Sequence, residues 1–366
     1  MTGLLTALAM AAALQPAASA DRLPGVWEGT IGTLPVRACF MTRDFGSFGA
    51  YYYTSRLQMI GLEAREGVSG GFVESGGPET GAARWQIAQS GPESLSGQWT
   101  RGRRTLPVRL RLVARPRGED SPCASMAFHR PRLAGVQTVR TRVTYGGVDF
   151  TQLQLDPRGR FGIAVKTFAL DGDSVPVRRI NAALADAFAG DPPHWFECVT
   201  NSMQVSAYEG EYSEELTPVM LSPRWLSVRD QQGGYCGGAH PDASTSYRLF
   251  DMTSGAEVDL HGWFNERGFA RERPAGATED IVTITPALRN VIIGTWRPQQ
   301  EECGTVVRET DDWIVGLSRE GISFGPSLPH VAAACEEEWV IPFDRLQPYL
   351  TRDGQAMIRA LLAERP

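Results

Sequence analysis

Tyr235-Cys236-Gly237-Gly238-Ala239-His240-Pro241 runs into Thr245-Ser246-Tyr247-Arg248-Leu249-Phe250. The turn Asp251-Met252-Thr253-Ser254-Gly255 and the step Ala256-Glu257-Val258-Asp259-Leu260 follow. Adjacent glycines tolerate the positive φ values of a tight turn, and the β-branched and aromatic run after them reads as a strand. Asp251 and Gly255 then turn the chain into a further short strand. The stretch predicts a hairpin whose tip carries one cysteine and one histidine.

The segments around this hairpin predict an α+β class. Tyr145 to Leu155 and Gly162 to Leu170 read as strands. Ser174 is placed to cap a helix with the apolar stripe Val177, Ile180, Leu184, Ala187 and Phe188, stopped by Gly190. Further strands are expected at Ser202 to Tyr212, Leu216 to Leu221 and Trp225 to Asp230. Downstream, Pro286 to Ile293 and Asp353 to Leu362 read as helices. Trp313 to Leu317 and Gly321 to Phe324 form a hairpin, and Trp339 to Pro342 leads into Phe343-Asp344-Arg345-Leu346. Strands and helices interleave without βαβ regularity, so the class is α+β rather than α/β.

The first part of the chain reads as β almost throughout. Val26 to Gly32, Leu34 to Met41 and Gly49 to Thr54 are short aromatic and β-branched runs separated by glycine turns. Leu57 to Leu62, Ala83 to Ala88, Ser94 to Thr100, Thr105 to Val113 and Cys123 to Arg130 continue the series. Leu106, Val108, Leu110 and Leu112 alternate with Pro107, Arg109 and Arg111, the pattern of a strand with one buried face. Evenly spaced short strands predict an antiparallel meander closed into a barrel, which removes exposed edges. The opening Gly25-Val26-Trp27-Glu28-Gly29-Thr30-Ile31-Gly32 and the Tyr51-Tyr52-Tyr53 strand resemble small lipocalin-like or avidin-like barrels. Gly67-Val68-Ser69-Gly70-Gly71 fits the spacing of a hydrolase nucleophile elbow, but strands flank it, so it reads as a turn. Arg101, Arg103 and Arg104 read as a solvated hairpin tip.

Residues 1–20 carry no charge, contain the apolar run from Leu4 to Leu14 and end in Ala18-Ser19-Ala20. This is the pattern of a secretory signal peptide, too short to span a bilayer; the missing positive n-region points to a start upstream of Met1. No later segment has the apolar length of a membrane span. Export to the periplasm or the medium is expected. Six cysteines, Cys39, Cys123, Cys198, Cys236, Cys303 and Cys335, then read as disulfides. Of the possible pairings the expectation is 39–123, 198–236 and 303–335, each within one proposed domain. None has the C-x-x-C spacing of zinc or redox sites, so neither a metal nor a cofactor is expected.

The domain reading is 1–20 signal peptide, 21–135 β-meander or barrel, and 136–366 α+β. Residues 21–135 hold 15 arginines against 10 carboxylates, net +5. The rest holds 21 basic against 32 acidic residues, net −11. The overall charge of −6, with export, argues against a nucleic-acid partner.

Ile180-Asn181, the segment Tyr235 to His240, Phe250 to Leu260, Glu320-Gly321-Ile322-Ser323-Phe324 and Ile341-Pro342-Phe343-Asp344-Arg345-Leu346 occur in the order and spacing of one family. Over residues 140–350 the chain resembles the RsiV-like domain. That domain is the extracytoplasmic part of a lysozyme-binding anti-sigma factor, and it also accompanies the catalytic domain of the peptidoglycan deacetylase PdaC. The resemblance implies a recognition module, with a lysozyme-like protein or a peptidoglycan fragment as partner. The sequence has neither a sigma-binding segment nor a deacetylase domain, so neither activity is carried over.

The candidate binding residues are Tyr235, Gly237, Gly238, His240 and Pro241. The glycines shape a loop, the tyrosine and proline offer contacts, and the histidine can bind or titrate. The acidic run Glu209, Glu211, Glu214 and Glu215 and the triplet Glu336-Glu337-Glu338 would suit a basic partner. The expectation is a non-catalytic recognition protein of the cell envelope. Two alternatives stand beside it: a peptidoglycan- or ester-acting hydrolase using His240 with Asp242 or a serine, and a structural envelope protein without a ligand.

Overall fold

The computed structural model describes residues 23–43, 46–75, 81–115, 121–156, 162–186, 195–206, 208–295 and 303–364. The expected signal peptide, and Ala187, Phe188 and Gly190 of the expected helix, lie outside them. The chain clusters into two compact units. One takes residues up to Ala134 together with Phe196–Gly210; the other takes Gly135–Trp195 and Glu211–Pro366.

The first unit is a closed antiparallel barrel of eight strands. They are β1 Gly25–Ile31, β2 Leu34–Arg43, β3 Gly46–Tyr53, β4 Ile60–Ala64, β5 Gly71–Glu74, β6 Arg84–Gly91, β7 Ser94–Arg101 and β8 Arg104–Ala114. Closure is by β8 on β1, with Gly29 opposite Leu110. Val108 and Leu110 are buried while Arg109 and Arg111 are exposed, so the alternation in β8 sets the barrel's inside and outside. Trp27, Phe40, Tyr51, Phe72, Trp85 and Trp99 fill the interior. Gly29 is required by strand closure, because a Cβ there would lie 1.9 Å from the Arg109 carbonyl oxygen. Gly67 and Gly70, with φ of 69° and 67°, sit in the turn between β4 and β5, so Ser69 is a turn residue and not a nucleophile elbow.

Two expected strands of this unit are helices. Cys123 to Arg130 folds as a short 3-10 turn, Pro122–Ala124, followed by helix α1, Met126–Leu133. Ser125 caps it by accepting from the Phe128 amide, a start signal that outweighs the aromatic content. Similarly Ser202 to Tyr212 is not one strand. The helix Trp195–Ser206 occupies its first part, and a strand starts only at Glu211. Within the barrel unit Phe196, Val199 and Met203 are all buried, the period of a helix rather than a strand. The outer face of β2–β4 is thereby covered. Tyr52 donates to the Phe128 carbonyl at 2.6 Å, Thr200 donates to the Cys123 carbonyl at 3.1 Å, and a Cβ at Gly61 would lie 3.1 Å from Met203 Sδ. The Cys39–Cys123 disulfide, with Cα atoms 5.1 Å apart, fastens this cover to β2.

The second unit is α+β. Its main sheet has seven strands in the order β15-β14-β13-β12-β11-β10-β9. They are β9 Gln137–Tyr145, β10 Val148–Asp156, β11 Gly162–Leu170, β12 Glu211–Leu221, β13 Trp225–Tyr235, β14 Asp242–Asp251 and β15 Glu257–Val258. All neighbours are antiparallel except β11 and β12. Helix α2, Val175–Leu184, is capped by Ser174 and packs on β11. Asn181 clamps the Leu170 backbone from both sides, accepting from its amide at 2.8 Å and donating to its carbonyl at 2.9 Å.

A two-stranded pair, β16 Phe269–Glu272 and β17 Ile281–Ile284, precedes helix Pro286–Ile293. The three-stranded sheet β18 Trp313–Leu317, β19 Gly321–Pro326 and β20 Trp339–Pro342 follows. Trp225, Leu249, Trp263, Phe264, Phe324 and Ile341 meet in one core, into which the C-terminal helix Arg352–Ala363 places Ile358 and Leu361. The Cys303–Cys335 disulfide ties helix Cys303–Glu309 to the 3-10 segment His330–Cys335. Cys198 and Cys236 are also disulfide-bonded, and no described cysteine is free. Among the described residues no helix is long and apolar enough to cross a membrane.

Candidate functional site

The hairpin β13–β14 projects the connection 236–241 at its end, with Gly234 opposite Asp242 as the last pair. A side chain at Gly234 would strike the neighbouring β12, where a Cβ would lie 2.0 Å from the Glu211 carbonyl oxygen. Beyond it Gly237 and Gly238 have φ of 94° and 107°, values that side-chain-bearing residues rarely adopt. The half-buried Tyr235 donates its hydroxyl to the Gly238 carbonyl at 2.9 Å, closing the loop on itself. Tyr235 therefore shapes the loop from within, while Gly238, Ala239, His240, Pro241 and Asp242 are exposed.

His240 has a partner that the sequence gives no hint of. Its ring lies parallel to that of His330, with centroids 4.8 Å apart and planes 11° from parallel. His330 is exposed and opens the 3-10 segment held by the Cys303–Cys335 bridge. Two imidazoles from segments 90 residues apart thus share one surface point, each able to donate, accept or stack. Among the described residues no hydroxyl, thiol or carboxylate is hydrogen-bonded to His240, and no group of three potential metal ligands occurs. A histidine–aspartate contact lies at the 3-10 turn Leu260–Trp263. There His261 Nδ1 is 3.1 Å from Asp259 Oδ1 and the ring stands edge-on to Phe269.

Most carboxylates of the acidic clusters already have partners. Glu338 is the meeting point of Arg229 (3.2 Å), the Ser323 hydroxyl (3.1 Å) and the Tyr247 hydroxyl. Burial, and next the hydrogen bond to this carboxylate, raise the Tyr247 pKa, so Tyr247 remains a donor. Glu336 accepts from the Leu328 amide at 3.0 Å. Glu209 is paired with Arg132 and with the Met59 amide, Glu214 is buried and accepts from the Tyr212 hydroxyl at 2.9 Å, and Glu215 pairs with Lys166. The charge that would suit a basic partner in the sequence is largely spent inside each unit.

Two polar nodes of the barrel unit also escape a sequence reading. Glu74 accepts from Trp99 Nε1 at 2.7 Å and from the Tyr51 hydroxyl, and burial together with this carboxylate pushes the Tyr51 pKa far up. His129, fully buried, stacks on Phe196 at 4.0 Å. Its Nε2 lies 2.8 Å from the Cys123 carbonyl and its Nδ1 lies 3.1 Å from Arg132.

No protein-family profile and no curated protein matches the chain. Among solved structures it is similar to a member of the DUF3298 family from Bacteroides fragilis. That pair shows 15% identity and a TM-score of 0.37 over 62% of this chain and 95% of that one. A DUF3298 family protein from Pseudomonas aeruginosa PAO1 shows 12% identity and a TM-score of 0.31 over 60% and 96%.

Proposed function

We propose that the chain is an exported recognition protein of the cell envelope that works by binding rather than by catalysis, with the 236–241 loop and His330 as its contact surface. The observation that carries this reading is the exposed, parallel His240–His330 pair on a loop whose shape is fixed from within. A preshaped loop loses little conformational entropy on contact, which favours binding. Paired imidazoles can hydrogen-bond to sugar hydroxyls, amides or carboxylates. The disulfides fit an oxidising compartment outside the cytoplasm. The resemblance to the RsiV-like domain supplies the partner class, a lysozyme-like protein or a peptidoglycan fragment.

The test is direct binding of the full chain to lysozyme and to purified muropeptides, measured by interferometry. One of them should bind, and His240→Ala with His330→Ala should weaken binding by roughly tenfold or more if the pair is a contact hot spot. Far-UV and near-UV circular dichroism should stay unchanged, because both side chains are exposed. Folded protein that binds neither ligand, or binds equally well without both histidines, would remove this reading.

A further inference from the structure

The main sheet of the second unit has two very different edges. At one end β15 is two residues long. At the other, β9 runs for nine residues, Gln137–Tyr145, paired with β10 in a register without interruption from Tyr145–Val148 to Gln137–Asp156. The turn between them is Gly146-Gly147 with φ of 57° and 78°, a two-residue connection that matches the right-handed twist of the flanking strands. Eight residues of β9 are exposed and Val143 is half-buried. Natural edges are commonly blunted by proline, charged side chains, a bulge or shortness; β9 has no proline, lysine or bulge and carries only Arg140 and Arg142 as charges. It is instead rich in β-branched residues: Thr138, Val139, Thr141, Val143 and Thr144.

We propose that β9 is a docking edge that takes an extended acidic segment of a partner protein as an additional strand. The two faces of β9 specify that segment. On one face lie Thr138, Arg140, Arg142 and Thr144; on the other lie Val139, Thr141, Val143 and Tyr145. Arg142 is shared between Asp149 and Asp171, whereas Arg140 has no acidic partner among the described residues. Val139 is 46% exposed beside the bare backbone edge, while Tyr145, 40% exposed, turns its hydroxyl back over the sheet to donate to the Val219 carbonyl at 2.7 Å. An incoming strand with a carboxylate opposite Arg140 and β-branched residues beside it would answer both faces at once.

The same arginines disfavour a second copy as the occupant. A two-fold axis perpendicular to the sheet through Arg140, Thr141 or Arg142 would set arginine directly opposite arginine. Like charges facing one another across a ladder are destabilising. A second copy is thereby confined to short registers centred on Val139 or Val143, where each paired arginine faces threonine, whereas an acidic strand can pair along the whole of β9.

The probe is a fluorescein-labelled nine-residue peptide alternating glutamate with valine, titrated with the full chain and read by anisotropy. Its controls are the lysine-for-glutamate peptide and the same peptide N-methylated on alternate residues. The glutamate probe should bind, the lysine probe should bind roughly tenfold more weakly, and N-methylation should abolish binding by removing ladder hydrogen bonds. Arg140→Glu with Arg142→Glu should reverse the charge preference with the far-UV spectrum unchanged. If that double variant fails to fold, Arg140→Thr, which breaks no ion pair, should weaken the glutamate probe roughly threefold. Absence of binding at about 1 mM, equal binding of both charge types, or tolerance of N-methylation would overturn the proposal.

Discussion

His129 is held neutral in the folded chain. Burial first, and the adjacent Arg132 guanidinium second, push its pKa well below the usual histidine value, against the opposing pull of the Cys123 carbonyl. In the unfolded chain the same imidazole takes up its proton near pH 6.5. A histidine with a depressed folded pKa leaves the unfolded state binding more protons below that pH, so stability must fall as the solution is acidified. The slope is at most about 1.4 kcal/mol per pH unit for one proton. Urea unfolding between pH 7.5 and 5 should show this decline, and His129→Gln should flatten it. Glu74 makes a complementary case. Glu74→Ala would leave the Trp99 indole and the Tyr51 hydroxyl without their acceptor inside the barrel, a loss of roughly 2–4 kcal/mol by urea unfolding. Should Glu74→Ala match the wild type, the node is not structural.

At the scale of elements, β14 and β18 meet through Tyr247 and Gly316. A Cβ on Gly316 would lie 2.6 Å from the Tyr247 ring, so the glycine is the seat of the aromatic side chain. Gly316→Ala should destabilise the second unit by about 1–3 kcal/mol. Adding Tyr247→Ala should recover part of that loss, a non-additivity that a double-mutant cycle detects. Additive losses would mean that the two residues do not share the space. Strand β8 was readable because its arginines and leucines alternate, and the helices expected at 286–293 and 353–362 are found at Pro286–Ile293 and Arg352–Ala363. The helix Trp195–Ser206 was not readable as a helix because Trp195, Phe196, Val199, Thr200 and Val205 are of types enriched in strands. Its true signal, the spacing of Phe196, Val199 and Met203, makes sense only against the barrel wall it covers. The site divides in the same way. The glycines announce the loop from sequence, whereas His330 reaches His240 only through the tertiary fold and a disulfide 32 residues in span.

At the scale of the whole molecule, the barrel unit is discontinuous in sequence. Residues 196–210 bring Phe196, Met203 and Glu209 to the face formed by Gly61, His129 and Arg132. Cutting the chain at Gly135 should therefore yield a barrel with a wet, partly apolar flank. Such a fragment should bind the dye ANS and unfold at lower urea than the full chain; a fragment as stable as the intact barrel and silent to ANS would contradict this. Replacing Cys39 and Cys123 by serine releases an 84-residue separation and should cost about 4 kcal/mol by urea unfolding, and reduction should act on the wild type in the same direction.

The discontinuity also sets an order of events in time. A ribosome delivers the last barrel strand at Ala114 but the covering segment only at Gly210, about 5–20 seconds later at ordinary elongation rates. Until then Gly61 and His129 lack the helix Trp195–Ser206 over them, and Arg132 waits for Glu209 as its counter-ion. The nascent chain therefore carries a sticky flank for seconds, and export in an unfolded state, before the barrel can close, would spare it that exposure.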